Sequence, residues 1–210
     1  MNELKIKVCG MRDPENVSGV VAARPNFIGF IFYPKSKRFV GFEPMPEILD
    51  IIPDSVKKVG VFVDETPEKV LDIYRNWKLD VVQLHGHETP DYCRQIQSSG
   101  ITVFKAFSVD ESFDFTILEA YSTVCDYFLF DTKGQLPGGT GQKFNWQLLD
   151  NYNGDVPFFL SGGIGPDDLE AIRNFELPRW RGIDINSGFE IIPALKDVIK
   201  VKNFIAEVRK

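Results

Sequence analysis

The 210 residues are enough to bury a substantial core and fit one domain or two small ones. With 43% hydrophobic and 26% charged residues and a net charge of −6, the composition is that of a soluble globular protein and lacks the basic stripe expected of a nucleic-acid partner. No apolar run approaches the roughly 20 residues of a membrane span, and the N-terminal residues enter a strand pattern directly, without the regions of a signal peptide, which leads us to expect a cytoplasmic protein.

Short β-branched or aromatic runs alternate with amphipathic stretches from end to end. Leu4–Val8 reads as the first strand, and Asp13-Pro14-Glu15 supplies an N-cap, a proline at the first helical position and an acidic first turn for a helix through Ala23. Phe27–Phe32 is the second strand. A polar loop, Tyr33–Gly41, carries three cations, Lys35, Lys37 and Arg38, before a helix over about Pro44–Ile52. Lys58–Val63 is the third strand, and Thr66-Pro67 starts a helix to about Trp77. Asp80–Leu84 is the fourth, with Thr89-Pro90 starting a helix to about Ser98. Thr102–Ala106 and Tyr127–Phe130 are the fifth and sixth strands, separated by a helix over about Ser112–Tyr121. A glycine-rich loop, Gly138-Gly139-Thr140-Gly141, then precedes a short helix at Asn145–Leu149. Pro157–Leu160 and Gly182–Ile185 close the series, with helices to about Asn174 and over about Leu195–Val208.

Alternating strands and helices imply a parallel sheet covered by helices on both sides. Eight such units without a linker favour a single (β/α)8 TIM barrel over residues 1–210, near the short end of that fold's range of roughly 200 to more than 400 residues. The alternative is a doubly wound open sheet, which has fewer units as a rule and more polar edge strands than Leu4–Val8 or Gly182–Ile185.

In a barrel, the C-terminal ends of all strands open on one face, where distant residues converge. The candidates there are Cys9 after the first strand, Arg38 after the second, Gln83 and His85 at the fourth and Asp131 ending the sixth. Cys9 is either a small buried hydrophobe or a reactive thiol. In the second case it needs a cation, Arg12 or Arg38, to supply thiolate from an ordinary pKa of about 8.5. Asp131 either caps a turn or acts as a general acid or base, and Arg38 has the fork geometry for a carboxylate. Gly138–Gly141, Ser161-Gly162-Gly163 and Asn186-Ser187-Gly188 are suited to presenting backbone N–H groups to a phosphate. His85 and His87 offer too few ligands for a metal site, and Cys93 and Cys125 read as structural free thiols. No nucleotide-binding fingerprint competes, since Phe144 stands where the third glycine after Gly139-Thr-Gly141 would be needed.

Lys7-Val-Cys-Gly-Met-Arg12, Phe32-Tyr-Pro-Lys-Ser-Lys-Arg-Phe39, Val82-Gln-Leu-His-Gly86, Phe130-Asp-Thr132 with Gly138–Gly141, and Ser161-Gly-Gly163 occur in that order across nearly the whole chain. Together with Asp184-Ile-Asn-Ser-Gly-Phe-Glu190, they resemble the phosphoribosylanthranilate isomerases. That resemblance implies a (β/α)8 barrel of tryptophan biosynthesis that performs an Amadori rearrangement without a cofactor on a small phosphorylated substrate. It also implies Cys9 as general base, Asp131 as general acid, Arg38 as partner of the anthranilate carboxylate, and a raised pKa for Asp131 and a lowered one for Cys9. Gln83 and His85 would contact substrate, and Gly138, Gly139, Thr140, Gly141, Gly162, Gly163, Ser187 and Gly188 would hold phosphate. Neither a nucleic acid nor a membrane is expected as a partner, and the chain is expected to be a monomer. Phe189-Glu-Ile-Ile-Pro193 departs from the family's usual sequence after strand eight.

Overall fold

Alternation along a strand sends every second side chain of a barrel to its axis and the others to the surrounding helices. The computed structural model describes residues 3–132 and 145–210. In it, eight parallel strands close in chain order: β1 (Lys5–Val8), β2 (Phe27–Ile31), β3 (Lys57–Phe62), β4 (Val81–Leu84), β5 (Thr102–Val109), β6 (Tyr127–Thr132), β7 (Phe158–Leu160) and β8 (Trp180–Ile185). Closure comes from β8 pairing back onto β1, with Lys7 opposite Asp184. The sequence expectation of a (β/α)8 barrel is met, and closure removes the edges that an open sheet would expose.

The axis is filled from Phe27, Val59, Val81, Phe104, Leu129 and Phe159, whose aromatic members pack edge-on or tilted, as Phe104 does 5.3 Å from Phe159. Gly182 makes room for this layer, since a side chain there would meet the Phe159 ring. The second, larger cluster lies between the outer strand faces and the helices α1 (Pro14–Val21), α2 (Pro46–Leu49), α3 (Pro67–Asn76), α4 (Pro90–Gln97), α5 (Leu169–Arg173) and α6 (Val198–Val208).

The expected helix starts are built as the sequence implies. Asp13 accepts from the Asn16 N–H at 2.8 Å, while Thr66 and Thr89 cap α3 and α4 with proline at the next position. Each such cap stabilises its helix by about 1 kcal/mol. Among the described residues, no helix is long and apolar enough to cross a membrane.

Several elements differ from expectation, among them the short helix expected at Asn145–Leu149, which is a 3-10 segment, Trp146–Asn151. The second helix is a single turn, and the fifth is a 3-10 segment, Phe115–Tyr121, in which Asp114 caps Thr116 two residues on. β5 runs on to Val109 because Ser108 and Val109 pair with Asp131 and Thr132. The last helix begins at Val198 because β9 (Glu190–Ile192) and β10 (Leu195–Lys196) form a hairpin, turned by Pro193 and by Ala194 at φ +69°. Asn16 of α1 pins that hairpin, donating to the Lys196 carbonyl and accepting its N–H, both at 2.8 Å.

Candidate active site

The C-terminal ends of the strands surround a cavity whose lining includes Cys9, Arg38, Gln83, His85 and Asp131. All five candidates from the early and middle strands are thus brought together.

On one side, alternation along β1 points Lys7 and Cys9 the same way, and both are buried. The Lys7 ammonium lies 2.9 Å from Asp184 Oδ2. The second Asp184 oxygen is buried with no hydrogen-bond partner among the described residues. Burial pushes the Cys9 thiol up, and Lys7 pulls against it. The expectation of a lowered Cys9 pKa is therefore corrected: an enclosed sulfur loses more by desolvation than a single cation returns. The foremost cation against it is also not one of those expected: Arg12 is exposed, and Arg38, although it acts on the sulfur through charge, is bonded to Glu190.

Across the mouth, Asp131 ends β6 and is bonded on both oxygens. Its Oδ1 accepts from the Thr132 N–H at 2.8 Å, and its Oδ2 lies 3.1 Å from His85 Nε2. His85 Nδ1 lies 2.9 Å from Gln83 Nε2. An amide nitrogen can only donate, so in this arrangement Nδ1 accepts, Nε2 carries the proton and Asp131 is the acceptor. Rotating the amide reverses the chain: its oxygen takes Nδ1–H, and Nε2 accepts from a protonated Asp131. The loop that holds His85 is fastened from beneath by buried Lys105, which reaches the Gly86 carbonyl at 2.8 Å and Glu88 at 3.2 Å, while Glu88 accepts from the Gly86 N–H. His87 lies on the outer side of this loop, almost fully exposed and paired with Asp64.

Arg38 is held by Glu190 through two parallel bonds, Nε to Oε1 at 2.7 Å and Nη2 to Oε2 at 2.6 Å. Glu190 also accepts from Lys196 Nζ at 2.7 Å and from the Ala194 N–H, and Lys196 reaches Asn186. Burial disfavours the Glu190 carboxylate, but Arg38 and Lys196 outweigh that and hold its pKa below the ordinary value. Among the described residues, three of the five Arg38 N–H groups have no partner and remain for a ligand.

Of the expected phosphate residues, Gly138, Gly139, Thr140 and Gly141 lie outside the described residues. Gly162, Gly163 and Ser187 line the cavity. Gly162 has φ +83°, and a side chain on it would meet Asp131 Oδ1 at 2.8 Å, so glycine lets this loop approach the acid. Gly188 packs on the Ile164 carbonyl, where a Cβ would come within 2.4 Å, which brings the loops after β7 and β8 together. Among the described residues, no side chain caps the 3-10 turn Ser187–Phe189.

Lys7, Asp184, Glu190, Lys196 and Lys105 carry charge in and around the site and were not candidates by sequence. The signal for Lys7 and Asp184 was a charged residue at an inward position of an otherwise apolar strand. Glu190 and Lys196 gave none, since their burial depends on an unexpected hairpin.

With this geometry in place, comparisons with known proteins agree on one family. A model described as N-(5'phosphoribosyl)anthranilate (PRA) isomerase matches residues 6–207. The chain is 50% identical over 204 residues to the N-(5'-phosphoribosyl)anthranilate isomerase of Parabacteroides distasonis, covering 97% of this chain and 92% of that one. It superposes on the phosphoribosyl anthranilate isomerase of Thermotoga maritima with a TM-score of 0.83 at 36% identity, over 98% of both chains. A phosphoribosyl anthranilate isomerase in complex with reduced 1-(o-carboxyphenylamino)-1-deoxyribulose 5-phosphate gives 0.82 at 34% identity, again over 98% of both chains. The chain belongs to the N-(5'-phosphoribosyl)anthranilate isomerase family and is an isomerase of tryptophan biosynthesis.

Proposed function

We propose that the Amadori rearrangement of N-(5'-phosphoribosyl)anthranilate to 1-(2-carboxyphenylamino)-1-deoxyribulose 5-phosphate runs here by general acid and base catalysis, with Asp131 as the acid and Cys9 as the base. The observation that carries this reading is that both groups line one cavity with Arg38, from strands on different sides of the barrel.

Ring opening comes first. Asp131 gives its proton to the furanose oxygen, the bond from that oxygen to C1' breaks, and the amine lone pair forms the C1'–nitrogen double bond. His85 and Gln83 line the substrate cavity and hold Asp131, and their reversible chain supports it in either protonation state. The cationic imine then acidifies C2'. Cys9 thiolate takes that proton, and the C–H electron pair becomes the C1'–C2' double bond of an enolamine, which tautomerises to the ketone. No cofactor enters this scheme.

Arg38, with its Glu190-facing edge occupied, offers its remaining N–H groups to the anthranilate carboxylate. The phosphate is held by Gly162, Gly163, Ser187 and Gly188, supported by the contact between their two loops; for Gly138, Gly139, Thr140 and Gly141 the same role rests on the sequence alone. The protein works as a single barrel domain over residues 1–210, as a monomer whose site groups come from one chain. Its three buried free cysteines suit the reducing cytoplasm.

Freshly generated phosphoribosylanthranilate, followed by its anthranilate-type fluorescence, tests the roles. Asp131→Asn and Cys9→Ala lose kcat, whereas Arg38→Ala mainly raises KM. A Cys9→Ala enzyme with full kcat overturns the base assignment.

A further inference from the structure

Lys5 and Lys7 occupy two successive inward positions of β1, below Cys9. They end differently. Lys5 is only half-buried and reaches the Tyr127 hydroxyl at 2.9 Å. Lys7 is fully enclosed, and among the described residues its one side-chain ion pair is with Asp184, the residue opposite it on β8. A buried ion pair of this kind adds little net stability compared with a well-packed apolar pair. Its position next to the site therefore asks for a different reason.

That reason lies on the β2 side. Gly29 leaves an open corner in which a Cβ would stand 2.8 Å from Cys9 Sγ and 3.3 Å from Lys7 Cε, so both side chains border the same corner. The charged groups that face the sulfur are Lys7 on β1, Asp184 on β8, Lys196 on β10 and Arg38 after β2, with Asp131 and His85 across the cavity. Arg38 and Lys196 share Glu190, which offsets both. Of these groups, Lys7 is the cation that acts most strongly on the thiol through its charge.

We propose that Lys7 is the counter-ion that favours the Cys9 thiolate against the cost of its burial, a positioning residue that acts through the sulfur while Asp184 holds its ammonium in place. The proposal rests on Cys9 being the base. Lys7 keeps its proton throughout. The thiol proton leaves to solvent through the cavity, the thiolate takes the C2' proton, and the resulting thiol loses that proton to solvent before the next turnover.

The test is the pH dependence of iodoacetamide alkylation at Cys9, read by mass spectrometry of its peptide, beside the kcat/KM profile of the same enzymes. Lys7→Met moves the alkylation midpoint up by at least about one pH unit. Below the midpoint, it slows both alkylation and turnover about tenfold or more. Asp184→Asn moves the midpoint down, because it removes the anion and leaves the cation, and Lys7→Arg stays near wild type. Both variants break the same ion pair, so a merely structural role moves them in the same direction. That result, or no movement in either, overturns the proposal. If Lys7→Met does not fold, Asp184→Asn decides, and an unmoved or raised midpoint overturns it. Alkylation needs no turnover, so failure here is distinct from failure of the base assignment, which Cys9→Ala kinetics report.

Discussion

Asp131 is bonded on both oxygens, to a backbone N–H and to a histidine that leads on to an amide, whereas the Cys9 sulfur stands among buried charges. The difference follows from what each group must do. An acid that gives up a proton in every turnover needs neighbours that accommodate both of its states, and a chain of groups that each donate or accept provides that. A base that starts as an anion in an enclosed site needs charge, because desolvation otherwise keeps the proton on sulfur.

The largest effects come from removing either group outright. Cys9→Ala and Asp131→Asn each lower kcat by about 10²- to 10⁴-fold, measured by the fluorescence assay. Only Cys9→Ala abolishes the limb of the pH profile on which the rate rises with pH. If Asp131→Asn abolished that limb, the two roles would be reversed.

Glu190→Ala comes next. It leaves Arg38 and Lys196 without their carboxylate, and uncompensated buried charge of this kind costs about 3–5 kcal/mol. Urea unfolding reads this as a lower midpoint, and KM rises because Arg38 is no longer held. An unchanged midpoint would mean that the network carries no stability.

His85→Gln distinguishes positioning of the acid from contact with substrate. If His85 serves Asp131, kcat falls about 10- to 100-fold with little change in KM, the scale expected for a misplaced catalytic group. A raised KM at constant kcat would instead make His85 a substrate ligand, as the sequence reading has it.

The barrel was legible because proline-led caps such as Asp13-Pro14 and Thr66-Pro67 and the apolar runs between them are local signals. The convergence of Cys9, Arg38, Gln83, His85 and Asp131 follows once strand ends are assigned, since topology alone brings them to one face. The β9–β10 hairpin was not legible, because Leu195-Lys196 is as compatible with a helix and the pairing depends on a buried Lys196 reaching Glu190. Without that hairpin, Arg38 reads as a free fork, and its bidentate partner cannot be found from the loop sequence. The cation beside Cys9 is hidden for a different reason: the arginines stand in the loops, while strand alternation puts Lys7 on the same face as the sulfur, two residues before it.

The smallest expected effect tests whether the Arg38 anchor, like the Cys9 corner, works through charge. The Glu190 carboxyl has a folded-state pKa below the ordinary glutamate value, and its neighbours Arg38 and Lys196 are the cause. A depressed pKa contributes stability in full above the unfolded value, about 4.3, and loses it as pH falls through the folded value. The urea midpoint of wild type should therefore exceed that of Glu190→Gln at pH 7, and the gap should narrow as the pH is taken below about 4, where the unfolded chain binds the proton first. Glutamine keeps the shape and an acceptor oxygen, so the part of the gap that disappears with acid is the part due to charge. A gap that is the same at both pH values would assign Glu190 to hydrogen bonding alone, and the anchor would then resemble the Asp131 side of the mouth more than the Cys9 side.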